Sequence, residues 1–396
     1  MSTTAEHAGE GRGLLAPVTP PPPDVEANLD DPRRAELRAW LAAHPHPSGV
    51  ELAAAGLVAP QWPSPWGRSA DVEYQLLIDD ELARANVTRP INPIGIGWAG
   101  PTIIHAGTPE QQARWLPKLM SGEEFWCQLF SEPEAGSDLA ALATRARRDG
   151  DEWVVTGQKI WTSYAHLATW GILLARTSNE TRQHGVSYFI CPMDAPGITI
   201  RPIPDMTGDH AFNEVFLDEV RLPADYLIGQ ENDGWRLAKV TLGNERVSLS
   251  GEGALWGRGP TANDLVSAVR ERHVAHNELE RDELVRCWSH GEILRLLRLR
   301  LLEAARAGRE PGPEASVRKA LADDHGQEIM TLAQRLAGSA GMLANRGPGG
   351  DDSADGASWG YGFLYARALT IGGGTSEVQR NIIAERVLGL PREPAG

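Results

Sequence analysis

The sequence predicts an α+β chain made of an N-terminal helical domain, a middle antiparallel β domain and a C-terminal helical bundle. Three observations carry this. Apolar residues recur at helical spacing over residues 32–126, short β-rich runs punctuated by Gly, Asp and Pro replace them over 127–234, and helical spacing returns over 235–396. At 396 residues the chain can hold two or three packed domains, each with a sizeable core.

Residues 1–31 are rich in Gly, Thr, Ala and Pro, with four consecutive prolines at Pro20–Pro23, and predict a disordered or extended tail without chemistry. Helical spacing then links Leu37, Trp40 and Leu41, then Leu76, Leu77, Leu82 and Ala83, and a third segment runs from Pro109 through Leu116. The strand-like runs are WVVTG from Trp153, WGILLA from Trp170, VSYFICP from Val186, GITIRPI from Gly197 and EVFLDEV from Glu214. Leu294, Leu297, Leu301 and Ala304 mark a long amphipathic helix over Arg281–Arg306. Pro311 and Pro313 restart a helix through Ile329, Leu332 and Leu336, and a Gly/Asp-rich excursion at Gly347–Gly356 precedes the closing elements. There is no internal repeat of fixed period.

The charge excludes one class of partner. With 38 basic against 53 acidic residues, the net charge of −15 repels a phosphate backbone, so nucleic acid is not expected, although a local basic pocket for the phosphates of a coenzyme is compatible. The cysteines Cys127, Cys191 and Cys287 are odd in number and lack metal-ligand spacing, as in a reduced compartment. There is no window of about 18 apolar residues, and the N-terminal stretch has neither a basic nor an apolar signal region, so a soluble cytoplasmic protein is expected, without membrane insertion.

Three stretches carry chemistry: FSEPEAGSD at Phe130–Asp138, QKIWTS at Gln158–Ser163 and IGGGTSEVQRN at Ile371–Asn381. Alone, the first is a polar turn, the second a strand end and the third a helix-initiating glycine turn. In the third, Ser376 and Gln379 fit an S-x-x-Q capping box, and a helix N-terminus behind glycines favours negative charge. Two other patterns are set aside. Gly95, Gly97 and Gly100 spell GxGxxG, but Pro90, Pro93 and Pro101 leave no strand before it, so a helix-start turn is predicted. His273, His276 and His290 lie in a charged helical region without a Cys or carboxylate pattern, and no metal is predicted. Of the thirteen tryptophans only Trp161 lies in a motif.

Together, at their mutual spacing, the three stretches resemble the acyl-CoA dehydrogenase family, and the resemblance runs from about Pro32 to the C-terminus. It implies that family's fold and an FAD cofactor. A flavin needs hydrogen-bond donors aimed where reduction places charge. The resemblance assigns Gln128, Phe130 and Ser131 to that task, with Ser137 on the pantetheine side of the substrate. Trp161 matches the aromatic beside the flavin ring, Thr162 its neighbour, and Ser163 the hydroxyl facing N5, where many members have threonine. Thr375 and Glu377 are further implied cofactor contacts, and the Gly373 amide bonds the thioester carbonyl, with Gly374 and Arg246 also on the substrate.

The base is displaced. Medium-chain members carry their catalytic glutamate where this chain has Gly373, whereas isovaleryl and long-chain types place it immediately before the arginine matching Arg246, which here is Glu245. Its alternative reading is an ordinary helix acid. The implied reaction is removal of the α-proton by Glu245 with transfer of the β-hydride to the flavin, giving a trans-2-enoyl thioester. The substrate is an acyl-CoA or acyl-carrier thioester, and electrons leave to an electron-transferring flavoprotein.

Two departures bear on assembly. The Arg-x-x-Phe-Gly run that grips a neighbour's FAD is absent around Glu278–Leu284, and the glutamine-glycine segment survives only as Gln334 and Gly338. A homodimer or homotetramer, or a heterotetramer with a related subunit, is therefore expected. Two competing readings stay open: an oxygen-using flavin oxidase or monooxygenase on the same fold, and a non-catalytic subunit of a heteromeric dehydrogenase.

Overall fold

A computed structural model describes residues 31–180, 182–249, 259–272, 277–307, 312–342 and 359–392. The tail predicted over 1–31 lies outside these except at Asp31, as do His273, His276 and the Gly347–Gly356 excursion.

The first helices form where the apolar spacing places them. Helix α1 (Arg33–Ala43) buries Leu37 and Leu41, α2 (Gly49–Ala54) starts in a capping box between Ser48 and Glu51, and α3 (Val72–Arg84) is N-capped by Asp71. Arg34, buried on α1, donates to Asp80 at 2.5 Å and to Glu81, tying α1 to α3. The GxGxxG segment is a π-helical turn over Gly95–Ala99 leading into α4 (Gly100–Ala106), with no strand before it. Its glycines serve packing, since a Cβ at Gly100 would lie 2.2 Å from the Trp62 ring. Helix α5 (Pro109–Ser121) begins in a Thr108/Gln111 capping box. The Gln111 Nε2 also donates to the carbonyls of Asp225 and Leu227 at 2.7 and 2.8 Å, fastening the helix start to the sheet.

Eight strands follow: β1 (Trp126–Leu129), β2 (Arg145–Asp149), β3 (Glu152–Ser163), β4 (Trp170–Arg176), β5 (Val186–Pro192), β6 (Ile198–Ile203), β7 (Phe212–Pro223) and β8 (Leu227–Ile228). The order is β6-β7-β3-β2-β4-β5-β8, with β1 beside β4. Most pairings are antiparallel, but β1 and β2 both run parallel to β4, so the sheet is mixed. The apolar runs of β4 and β5 are buried along nearly their whole length, which marks strands covered on both faces. Trp115 of α5 meets Trp170 and Tyr226 edge-on at 6.1 and 5.5 Å, so tryptophans outside the motifs do join helix to sheet. Strands β1, β2 and β8 are short or charged and give little alternation, which is why they are hard to read from sequence.

Helix α6 (Gly234–Leu249) leaves the sheet, followed by α7 (Ala262–Arg272), α8 (Glu278–Arg306), α9 (Ala315–Leu336), α10 (Trp359–Tyr365) and α11 (Ser376–Ile382). The chain divides into two compact units. Of the described residues, one holds those within 31–205 and 210–244, and the other those within 206–209 and 245–392. The second has its own core, in which Leu265 and Val269 of α7, Cys287 of α8 and Ile329, Met330 and Ala333 of α9 are buried together.

In the first unit, Asn92 joins helices to sheet. Its side chain is buried, its Nδ2 donates to the carbonyls of Leu119 and Glu124 at 2.9 and 3.0 Å, and its Oδ1 accepts from the Gly95 and Trp126 amides at 3.2 Å each. Asn92→Ala strands these backbone groups and is expected to lower stability by about 2–4 kcal/mol. Urea denaturation should show a lower midpoint with an unchanged slope, and a loss below about 0.5 kcal/mol would contradict this role.

Candidate functional site

In the sheet unit, the site is set by a lysine inside the second motif. Strand β3 pairs with β7, but its register shifts between Lys159 and Thr162. This bulge turns Lys159 fully inward and throws Trp161 outward. The Lys159 Nζ donates to Glu132 Oε1 at 2.8 Å and to the Phe130 carbonyl at 3.1 Å. Glu132 in turn accepts from the Ala143 and Thr144 amides at 2.6 and 3.0 Å, and the Ile160 amide donates to the Ser131 carbonyl at 3.0 Å. The first two motifs are thus one hydrogen-bonded body.

Burial pulls the Lys159 ammonium down to about 8, opposed by the charge and hydrogen bond of Glu132. Burial pushes the Glu132 carboxyl up, but Lys159 and the bonds from Thr144 and Ala143 outweigh it and hold it below its usual range.

On this body Trp161 is 58% exposed and sits at φ +60°, left-handed backbone that a bulky residue seldom occupies, with its ring edge-on to Phe212 at 6.2 Å. Thr162 is buried, Ser163 and Ser131 are half-buried, and Phe130 is buried against Tyr188. The Gln128 Oε1 and Thr162 Oγ1 are buried without a hydrogen-bond partner among the described residues. Such atoms cost about 1–3 kcal/mol each unless something meets them. An exposed aromatic face beside unmet polar atoms fits a flat heteroaromatic ring with a hydrogen-bonding rim. Ser137 is exposed on the following loop.

In the helical unit, a second buried lysine holds the third motif. The Lys319 Nζ donates to Asp323 Oδ2 at 2.6 Å and to the carbonyls of Leu369, Gly372 and Gly374 at 3.2, 2.7 and 3.1 Å. The Gln379 Nε2 donates to the Gly373 and Gly374 carbonyls, both at 3.1 Å. Because a peptide is planar and trans, fixing the Gly372 carbonyl on Lys319 points the Gly373 N–H the opposite way. Gly373 and Gly374 have φ of +67° and +91°, and a Cβ at Gly374 would meet Gln379 at 2.7 Å, so the turn requires glycine.

The cap departs from the sequence expectation. Thr375, not Ser376, is the N-cap of α11, its hydroxyl accepting from the Val378 amide at 3.3 Å. Gln379 is drawn back to the glycine carbonyls and does not close a capping box. Glu377 is exposed in the first turn.

Glu245 lies on α6 and is buried at 6% exposure. Arg246 follows on the helix, its side chain outside the described residues. Gln334 on α9 donates to the Gly341 carbonyl, its Oε1 is buried without a partner among the described residues, and Gly338 turns the chain at φ +57°.

Lys159, Glu132, Lys319 and Gln379 were missed as site-forming residues. Lys159 lies inside a quoted motif, in a strand where a buried charge needs a partner. Lys319 and Asp323 stand at the i,i+4 spacing of any helix ion pair, a spacing that carries no signal of burial.

The chain matches three domain profiles: the acyl-CoA dehydrogenase N-terminal domain over residues 26–123, the middle domain over 127–220 and the C-terminal domain over 232–388. It is 44% identical over 363 residues to acyl-CoA dehydrogenase FadE34 of Mycobacterium tuberculosis, covering 91% of this chain and 48% of that protein, so it spans about half of that relative's length. Among solved structures, the ChsE4-ChsE5 complex from Mycobacterium tuberculosis aligns at TM-score 0.73 and 30% identity over 92% of this chain and 99% of that one. The Tcur3481-Tcur3483 steroid ACAD aligns at TM-score 0.74 and 30% identity, over 91% and 97% respectively.

Two outcomes follow from the lysines. Lys159→Met leaves Glu132 buried without its cation and is expected to cost about 3–5 kcal/mol in chemical denaturation; a variant as stable as the parent would remove Lys159 as the clamp. Burial pushes Asp323 up to about 7 against the opposing pull of Lys319. The folded state therefore keeps a proton that the unfolded chain has lost, and stability from this group falls as pH rises from about 4 to about 7. Measured across that window, the stability of the parent relative to Asp323→Asn should drop by about 2–4 kcal/mol, and a flat difference would place the carboxyl at its ordinary value.

Proposed function

The chain belongs to the acyl-CoA dehydrogenase family, and from that premise we propose that it catalyses FAD-dependent α,β-dehydrogenation of an acyl thioester, with Glu245 as the base. The observation that carries this is a carboxylate buried on α6 in a chain whose residue 373 has no side chain. A buried carboxylate with a helix for support is a fixed proton acceptor, whereas a solvated helix acid would be exposed. Glu245 takes the proton from the carbon next to the thioester carbonyl. The Gly373 amide, oriented by Lys319 through the Gly372 carbonyl, donates to the carbonyl oxygen and acidifies that C–H bond.

The surface around Trp161 supports FAD as the cofactor. Trp161 offers a ring face, Gln128 and Thr162 hold polar atoms that no described residue meets, and Ser131 and Ser163 carry half-buried hydroxyls. Bound there, FAD supplies the acceptor for the β-hydride. Gln334 and Gly338, with Thr375 and Glu377, are the remaining cofactor contacts under this reading, and Ser137, Arg246 and Gly374 face the substrate.

The acyl group is the open part of the reading. Because a relative at 30% identity is a steroid ACAD, a polycyclic acyl thioester belongs beside straight and branched fatty-acyl thioesters as a substrate class. Assembly with a second copy or a related subunit is supported by α8, where Leu279, Val285, Ile293 and Leu296 are 48–77% exposed, an apolar surface a monomer seldom leaves uncovered. The onward electron acceptor under this reading is an electron-transferring flavoprotein.

The test is anaerobic bleaching of the FAD-loaded protein by a panel of those thioesters, followed at the oxidised-flavin band. One class should bleach rapidly, and Glu245→Gln should slow bleaching by about 10²–10⁴-fold while retaining FAD. Equal bleaching in the variant would remove Glu245 as base. FAD retained with no bleaching favours the oxygen-using reading, and failure to retain FAD favours a subunit that needs a partner.

A further inference from the structure

We propose that Cys287, His325 and Glu328 form a binding site for a divalent transition cation, zinc above all, that staples α8 to α9. The thiol comes from α8 and the imidazole and carboxylate from one face of α9, and one ligand atom from each lies within 4.8 Å of the other two. A mixed S, N and O donor set selects zinc or a neighbouring first-row metal over magnesium or calcium, which take oxygen ligands.

The spacing fits a tetrahedral ion. Metal–nitrogen and metal–oxygen bonds of about 2.0–2.1 Å give a tetrahedron with edges of about 3.3 Å, and the His325 Nδ1 and Glu328 Oε2 stand 3.3 Å apart. A thiolate edge is longer because the metal–sulfur bond is about 2.3 Å.

Two further features mark a built pocket. Gly291 lies inside α8, where glycine weakens a helix by about 1 kcal/mol relative to alanine. A Cβ there would come 3.3 Å from His325 Nε2 and 3.1 Å from the Ala262 Cβ, so the glycine makes room for the imidazole beside Cys287. His290, one turn on from Cys287, sets its Nδ1 2.7 Å from Glu328 Oε2 on the exposed side. A histidine there orients the carboxylate as an outer partner, a device that metal ligands commonly have. Cys287 and His325 are buried while His290 is about half exposed, so a cation can reach the site from that side, where water completes the coordination.

The charges balance. Thiolate and carboxylate carry two negative charges against the divalent ion, His325 binds neutral, and the thiol proton is released on binding. The sequence hides this because Cys287-x-x-His290 and His325-x-x-Glu328 lie on different helices, with His290 and Glu328 38 residues apart.

The test uses the full FAD-loaded chain, stripped of metal with EDTA and titrated with cobalt(II), as a difference spectrum against the same protein. One equivalent should give visible d–d bands of tetrahedral intensity and a near-ultraviolet thiolate-to-cobalt band, both displaced by zinc and absent in Cys287→Ser. His290 is exposed, so His290→Ala keeps the fold and should weaken metal affinity about 10–100-fold. No thiolate band in the parent, a band that persists in Cys287→Ser, or unchanged affinity in His290→Ala would each overturn the assignment.

Discussion

A buried ammonium is the constraint on which the candidate surface of each unit depends. An amine taken out of water is tolerable only if every N–H finds an acceptor and a carboxylate offsets the charge. Lys159 meets this with Glu132 and the Phe130 carbonyl, and Lys319 with Asp323 and the carbonyls of Leu369, Gly372 and Gly374. In both cases the carbonyl acceptors belong to irregular chain. The segment after β1 and the glycine turn before α11 have few ladder or helix bonds of their own, and the lysine replaces them. Loop backbone is thereby fixed by hydrogen bonds to a side chain.

This explains how a turn of three glycines can be more than a flexible hinge. With the carbonyls of Gly372, Gly373 and Gly374 all engaged, the peptide planes have little freedom left, and the direction of the Gly373 amide follows from planarity. Glycine is needed there for its backbone angles and the lack of space, not for looseness. A carboxylate side chain at 373 would need a residue with a Cβ at φ +67°, which is costly for any L-residue. Under the proposed function the acid is Glu245, on a sixteen-residue helix whose support does not compete with the turn.

Much of the fold was legible in the sequence because its long elements obey simple periods. The stripe of α8 and the apolar runs that became β4 and β5 are of this kind. What escaped were elements whose form is decided by neighbours: charged β2, two-residue β8 and the six-residue α2. The site divides in the same way. Phe130, Ser131 and Trp161 are singled out in the sequence because the motifs around them resemble those of a known family, and the structure joins the first two motifs through the bonds from Ile160 and Lys159. The lysines were missed because burial, which separates a structural ammonium from a solvated one, is a property of the tertiary fold. The cap falls at Thr375, one residue before Ser376, and the Gln379 amide is taken up by the carbonyls of Gly373 and Gly374 instead of closing a capping box.

Where residue type and environment disagree, the disagreement is informative. Lysine belongs in water and tryptophan out of it, yet two residues apart on β3 the structure reverses both, with Lys159 fully buried and Trp161 58% exposed. A single bulge produces the reversal, and neither half is stable alone. The ammonium needs Glu132 within the body, and the exposed indole, at a left-handed φ, keeps an edge-on contact with Phe212. An exposed indole on a fixed body, with Gln128 and Thr162 each holding a polar atom that no described residue meets, is the kind of surface that the FAD of the proposed function would complete.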